Sequence, residues 1–94
     1  MTRAIAEVKY PYVHRVKGIC GGQPVIRGTR FPVRSVVEYV LRQGMTPEEM
    51  VREWEHLTLA QIYDALSYYH DHKEEIDPLV RGNQEVLARK KRSV

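Results

Sequence analysis

Ninety-four residues with 43% hydrophobic and 29% charged content describe one ordinary globular domain, mainly α by the reading that follows. A chain this short buries a smaller share of its unfolded surface than a long one does, so a partner chain often completes its core. Its single cysteine, Cys20, excludes an internal disulfide and fits a reducing cytoplasm; there is no signal-peptide core and no apolar run approaching the roughly 18 residues of a membrane span. The net charge of +3 hides a basic–acidic–basic layout, with net values of +6 over residues 1–44, −7 over 45–77 and +4 over 78–94. Phosphates seek the outer blocks and are repelled by the middle one, so any nucleic-acid contact is expected from the first or last block.

The first twenty residues show mixed alternation with a proline and read as an extended arm or short edge strand. "GGQPVIRGTRFPV", residues 21–33, follows as a tight hairpin. Gly28 and Thr29 suit the centre of a type II′ turn, which pairs Arg27 with Arg30 and Ile26 with Phe31. Ile26 and Phe31 then share the inner face of a short β-ribbon, and both arginines lie on the outer face. Pro24 and Pro32 lack amide donors and keep this ribbon out of any wide sheet.

From Val33 the period becomes helical: Val33, Val36, Val37, Val40 and Leu41 make one apolar face, and Gly44 sits at the C-terminal cap. "MTPEEM" opens a short second helix running to about Trp54. Thr46 is its N-cap, Pro47 its first residue and Glu49 the capping-box partner, with Met45 and Met50 as the hydrophobic staple. The device returns in "LTLAQI", where Thr58 caps, Gln61 completes the box, and Leu57 and Ile62 staple. This third helix carries Ile62, Ala65, Leu66, Tyr69 and Ile76 on one face and is expected to end before Pro78. A ribbon and three helices over residues 1–77 thus precede a basic tail, 78–94, that is mobile or orders on a partner. The short helix, the turn "EHL" and the longer helix outline a helix-turn-helix.

These motifs, "GICGGQPVIRGTRFPV" followed by "GMTPEEMVREWEHLTLAQIYDALSYYHDHKEEID", resemble the bacterial domain-of-unknown-function family 433 over residues 10–77. The resemblance implies a homeodomain-like three-helix fold. It also implies kinship with VapB-type antitoxins, which bind operator DNA as homodimers and neutralise a PIN-like ribonuclease toxin.

As a DNA reader, the chain would use residues 58–67 as the recognition helix, with Thr58, Gln61 and Tyr63 toward the duplex and Gln61 suited to adenine. Asp64 on that helix is repelled by phosphate, and no Lys or Arg follows until Lys73. Phosphate contacts would therefore come from Arg27, Arg30 and Arg34, from Lys9, Arg15 and Lys17, or from the "RKKR" tail. A protein-interaction module that barely touches DNA is the alternative, favoured by the acidic middle block and its aromatic residues. Tyr68 would belong to that surface, and Leu79, Val80, Val86 and Leu87 would anchor the tail.

Other chemistries find little support. The glycine-rich stretch lacks the spacing and the lysine of a phosphate-binding P-loop. His70 and His72 point about 200° apart on a helix and cannot share a metal, with His14 and His56 remote in sequence. No nucleophile–base order is evident, so neither an enzyme nor a cofactor is expected.

Overall fold

The computed structural model describes residues 9–92, and side chains for residues 9–83. Strand β1 (Val13–His14) pairs antiparallel with β2 (Val25–Ile26), in the register Val13 to Ile26 and His14 to Val25. Val25 also faces Pro32, and the Ile26 N–H donates to the Phe31 carbonyl at 2.8 Å, so the expected pairing of Ile26 with Phe31 is present.

The turn between them is not the expected type II′ turn. The Thr29 N–H closes on the Ile26 carbonyl at 3.0 Å, which places Gly28 third in the turn with φ +82°. A type II turn requires this left-handed value at that position, and glycine adopts it without strain. Thr29 is the physical reason. Its hydroxyl donates to the Ile26 carbonyl at 2.8 Å and accepts from the Phe31 N–H at 2.9 Å, taking up groups that a two-residue turn would leave to the backbone.

Helix α1 (Val33–Val37) continues into a π-helical turn over Glu38–Arg42. The Gln43 N–H reaches back five residues to the Glu38 carbonyl at 3.0 Å. This wider turn corrects the expected single apolar stripe: Val33, Val36 and Val37 are buried, but Leu41 has rotated outward and is 48% exposed.

Helices α2 (Pro47–Glu53) and α3 (Leu59–Asp71) begin as the sequence indicates. Thr46 Oγ1 accepts from the Glu49 N–H at 3.0 Å while the Glu49 carboxylate accepts from the Thr46 N–H at 2.8 Å. Those bonds hold the Glu49 carboxyl below its ordinary pKa. Thr58 and Gln61 repeat the exchange at 3.2 and 2.8 Å. Met50, Leu57 and Ile62 are buried, and Met45 packs on the same core.

The third helix does not run on to Pro78. It stops at Asp71, and α4 (Lys73–Arg92) starts afresh after His72, whose φ of −136° is not helical. The His72 ring lies flat on Tyr68 at 4.1 Å and its Nδ1 meets the Tyr68 carbonyl at 3.0 Å, so this side chain occupies an acceptor of the helical ladder. Pro78 then sits inside α4, and the expected boundary between residues 77 and 78 falls within a helix. Burial of Ile76 and Val80 on either side holds the helix through the proline, helped by the Tyr69 hydroxyl bonding Asp77 at 2.8 Å.

Four helices and the two-stranded sheet make the described residues mainly α. One core joins Val13, Ile26, Val33, Val36, Met50, Leu57, Ile62, Ala65, Ile76 and Val80. Phe31 and Tyr39 close one edge against Trp54, with ring centroids 5.4 and 4.7 Å from the indole. No helix among the described residues is long and apolar enough to cross a membrane.

Because Ile76 is fully buried, Ile76→Ala is expected to cost about 3 kcal/mol in urea unfolding. Thr58→Ala, which removes a cap, should cost about 1 kcal/mol in the same measurement.

Candidate functional site

The arm that leads into β1 lies along α3. The Tyr12 N–H donates to Asp64 Oδ2 at 2.8 Å, the Tyr10 hydroxyl donates to Asp71 Oδ2, and Arg15 pairs with Glu75 at the start of α4. Tyr68 sits between these contacts: its ring meets Tyr10 edge-on at 5.0 Å, and its hydroxyl donates to Glu75 at 2.7 Å and accepts from Arg15 at 3.2 Å. Asp64, Tyr68 and Asp71 stand at i, i+4 and i+7, so one stripe of α3 grips the arm.

The ionisations follow this network. The Tyr10 hydroxyl, held by the Asp71 carboxylate, is pushed up to about 12, and the same bond holds Asp71 below its ordinary value. Partial burial pushes the Tyr68 hydroxyl up, with the bond to Glu75 adding to it, and Glu75 raises Arg15 further.

The residues expected to read DNA are distributed differently. Thr58 and Gln61 bond each other in the α3 cap, and Asp64 faces the arm. Tyr63 stays outward, 52% exposed, with Leu59 one turn before it at 39%. Arg27 is exposed, and its Nε donates to the Pro11 carbonyl at 3.0 Å. Arg30 is exposed on the far side of the turn, and Arg34 meets Ser35 Oγ at 3.5 Å.

The expected partner anchors also have other employment. Tyr68 belongs to the arm's seat, Val80 is 4% exposed in the core, and Leu79 packs against that core. The side chains of Val86 and Leu87 lie outside the described residues. Among the described residues no three His, Cys, Asp or Glu side chains gather as a metal site. Arg30 does join His14 and His56 around an open depression of 540 Å³ beside the ribbon turn.

Residues 13–69 match the family model described as "Protein of unknown function (DUF433)", more than half of the chain. The chain belongs to the DUF433 family. A crystal structure of a DUF433 member protein from Anabaena variabilis ATCC 29413 has the same fold, with a TM-score of 0.70 and 34% identity over 74% of this chain and 68% of that one. No curated protein matches the chain. The family match ends at Tyr69, so β1, the ribbon, α1, α2 and all but the last two residues of α3 fall within it, whereas Asp71, His72 and Glu75 of the arm's seat lie beyond it.

Neither the arm's seat nor the depression stands out in the sequence. The acidic character of residues 45–77 is visible in the sequence, but nothing in it names the arm as the occupant of α3. The depression draws on segments around residues 14, 30 and 56, which only folding brings together.

Tyr10 keeps its proton more tightly in the folded chain than an unfolded tyrosine does. Its support for the arm is complete below about pH 10 and is lost as pH rises toward about 12. Asp71 has the opposite sign: its support is complete above the ordinary carboxyl value and fades as pH falls through its lowered one. Absorbance titration at tyrosinate wavelengths is therefore expected to show a component near pH 12 that Tyr10→Phe removes, with the Tyr12 amide exchanging faster in that variant.

Proposed function

We propose that this chain is a protein-binding module of the antitoxin type, which covers a partner through the outward face of α3 and the neighbouring arm. The observation that carries this reading is the division of labour on α3. Thr58, Gln61 and Asp64 are engaged within the chain, while Leu59 and Tyr63 face solvent. Tyr12, 41% exposed, is tied beside them through its bond to Asp64. Three of the four exposed large apolar side chains among the described residues therefore belong to this helix and its arm. Aromatic side chains at the centre of a patch are the usual anchors of protein interfaces.

The resemblance to VapB-type antitoxins supplies the class of partner, a PIN-like ribonuclease. An RNA-cleaving protein presents a basic groove, and the exposed carboxylates of Glu48, Glu53 and Glu55 suit such a surface. Leu59→Asp combined with Tyr63→Asp is expected to abolish co-purification with a PIN-like protein encoded beside this chain. The far-ultraviolet spectrum should be unchanged, because both positions are exposed. Undiminished co-purification would remove α3 from the interface.

A DNA-binding regulator acting as a homodimer is the second reading. It is favoured by the short connection, residues 54–58, that packs α2 against α3, and by the exposed Arg27 and Arg30. In that reading, binding to the chain's own upstream DNA falls steeply with salt, and replacing both arginines by alanine weakens it on every sequence alike. A salt series against nonspecific duplex checks this, and equal affinity for both duplexes at low salt rejects it.

A further inference from the structure

The depression beside the ribbon turn has a chemistry of its own. His14 and Val16 line it from β1 and the segment after it, Arg30 from the turn, and His56 from the connection between α2 and α3, with Ile19 completing an apolar wall. No acidic side chain lines it. The Arg30 guanidinium and both imidazoles take no hydrogen bond or ion pair from any described residue, although most other cations of the arm and ribbon are engaged. In the turn itself, the N–H groups of Gly28 and Arg30 donate to no described residue, and Gly28 brings no side chain to cover them.

We propose that this depression binds a phosphate monoester carried on a flat or apolar body, of which a mononucleotide is the simplest. A monoester presents three terminal oxygens, and the site offers the Arg30 guanidinium and two imidazoles as side-chain donors beside a turn with two unpaired amides. A guanidinium fork suits two of those oxygens at once, and backbone amides at a turn are a recurring anion seat. The volume of 540 Å³ exceeds what a phosphate alone needs and falls within the roughly 300–1,000 Å³ of small-molecule sites. Val16 and Ile19 give the remainder of the ligand an apolar surface. A metal is the competing occupant of two imidazoles, but no third ligand from His, Cys, Asp or Glu joins them among the described residues.

The phosphate could come from a free nucleotide or from the 5′ end of a nucleic-acid strand, and the test separates these sources. The full-length ¹⁵N-labelled chain is titrated with adenosine monophosphate, adenosine, inorganic phosphate, and a trinucleotide with and without a 5′-phosphate. Saturable shifts of the Gly28, Thr29 and Arg30 amides are expected with the monophosphate and the 5′-phosphorylated trinucleotide. Adenosine and the unphosphorylated trinucleotide should give none, and inorganic phosphate should bind more weakly than the nucleotide. The ratio of the two phosphorylated affinities assigns the source. Arg30→Gln should weaken binding about tenfold and His56→Gln severalfold. Both side chains are exposed and unpartnered, so unchanged shifts of the core residues will verify the fold of each variant. Adenosine binding as tightly as its monophosphate, unchanged affinity in Arg30→Gln, or saturable shifts only outside the turn each overturn the proposal. So does the absence of any saturable shift at millimolar ligand.

Discussion

Among the described residues every element except α3 and α4 is short, and the core around Val36, Met50 and Ile62 is what each of them leans on. The two strands have two residues each, α1 has five and α2 seven, lengths at which neither a ribbon nor a helix persists alone. Burial of one Ile or Met side chain contributes roughly 1.5–3 kcal/mol, comparable to the cost of ordering a residue or two. No element can therefore loosen without exposing part of another's support. Ile76 and Val80 show this most clearly. They join α4 to the core contributed by α1, which is why the helix continues through Pro78.

Electrostatics guide this assembly without supplying most of its energy. The basic arm is complementary to the acidic side chains of α3 and the start of α4 within one molecule: Arg15 meets Glu75 and Lys9 approaches Asp71 at 3.9 Å. Pairs as exposed as these contribute little on their own. The arm is held chiefly by the pairing of Val13 with Ile26 and by the contact of Tyr10 with Tyr68, and the charges select where it lies. The acidic third helix, an obstacle when the chain is considered as a DNA reader, becomes the seat of the chain's own N-terminal segment. The large side chains that α3 leaves most exposed near its start are Leu59 and Tyr63, and these turn the functional reading toward a protein partner.

The same packing separates the ribbon arginines. Register alone pairs Arg27 with Arg30, but Thr29 draws the turn into a different shape. Arg27 then bonds to Pro11 of the arm, while Arg30 joins His14 and His56 at the depression. One bonded hydroxyl thus changes two candidate sites.

The caps at Thr46 and Thr58, their staples, the register of Ile26 with Phe31 and the left-handed positions at Gly28 and Gly44 were all determined by sequence, because each depends on residues within about five positions. The π-helical turn that moves Leu41 outward, the break at His72 and the passage of α4 through Pro78 were decided by tertiary structure. In each, a distant contact or the burial of a neighbour overrides a local preference. The arm's seat and the Arg30 depression belong to this second group for the same reason. Their members lie tens of residues apart, and the periodicity of a strand or helix carries no information about which separate faces will meet.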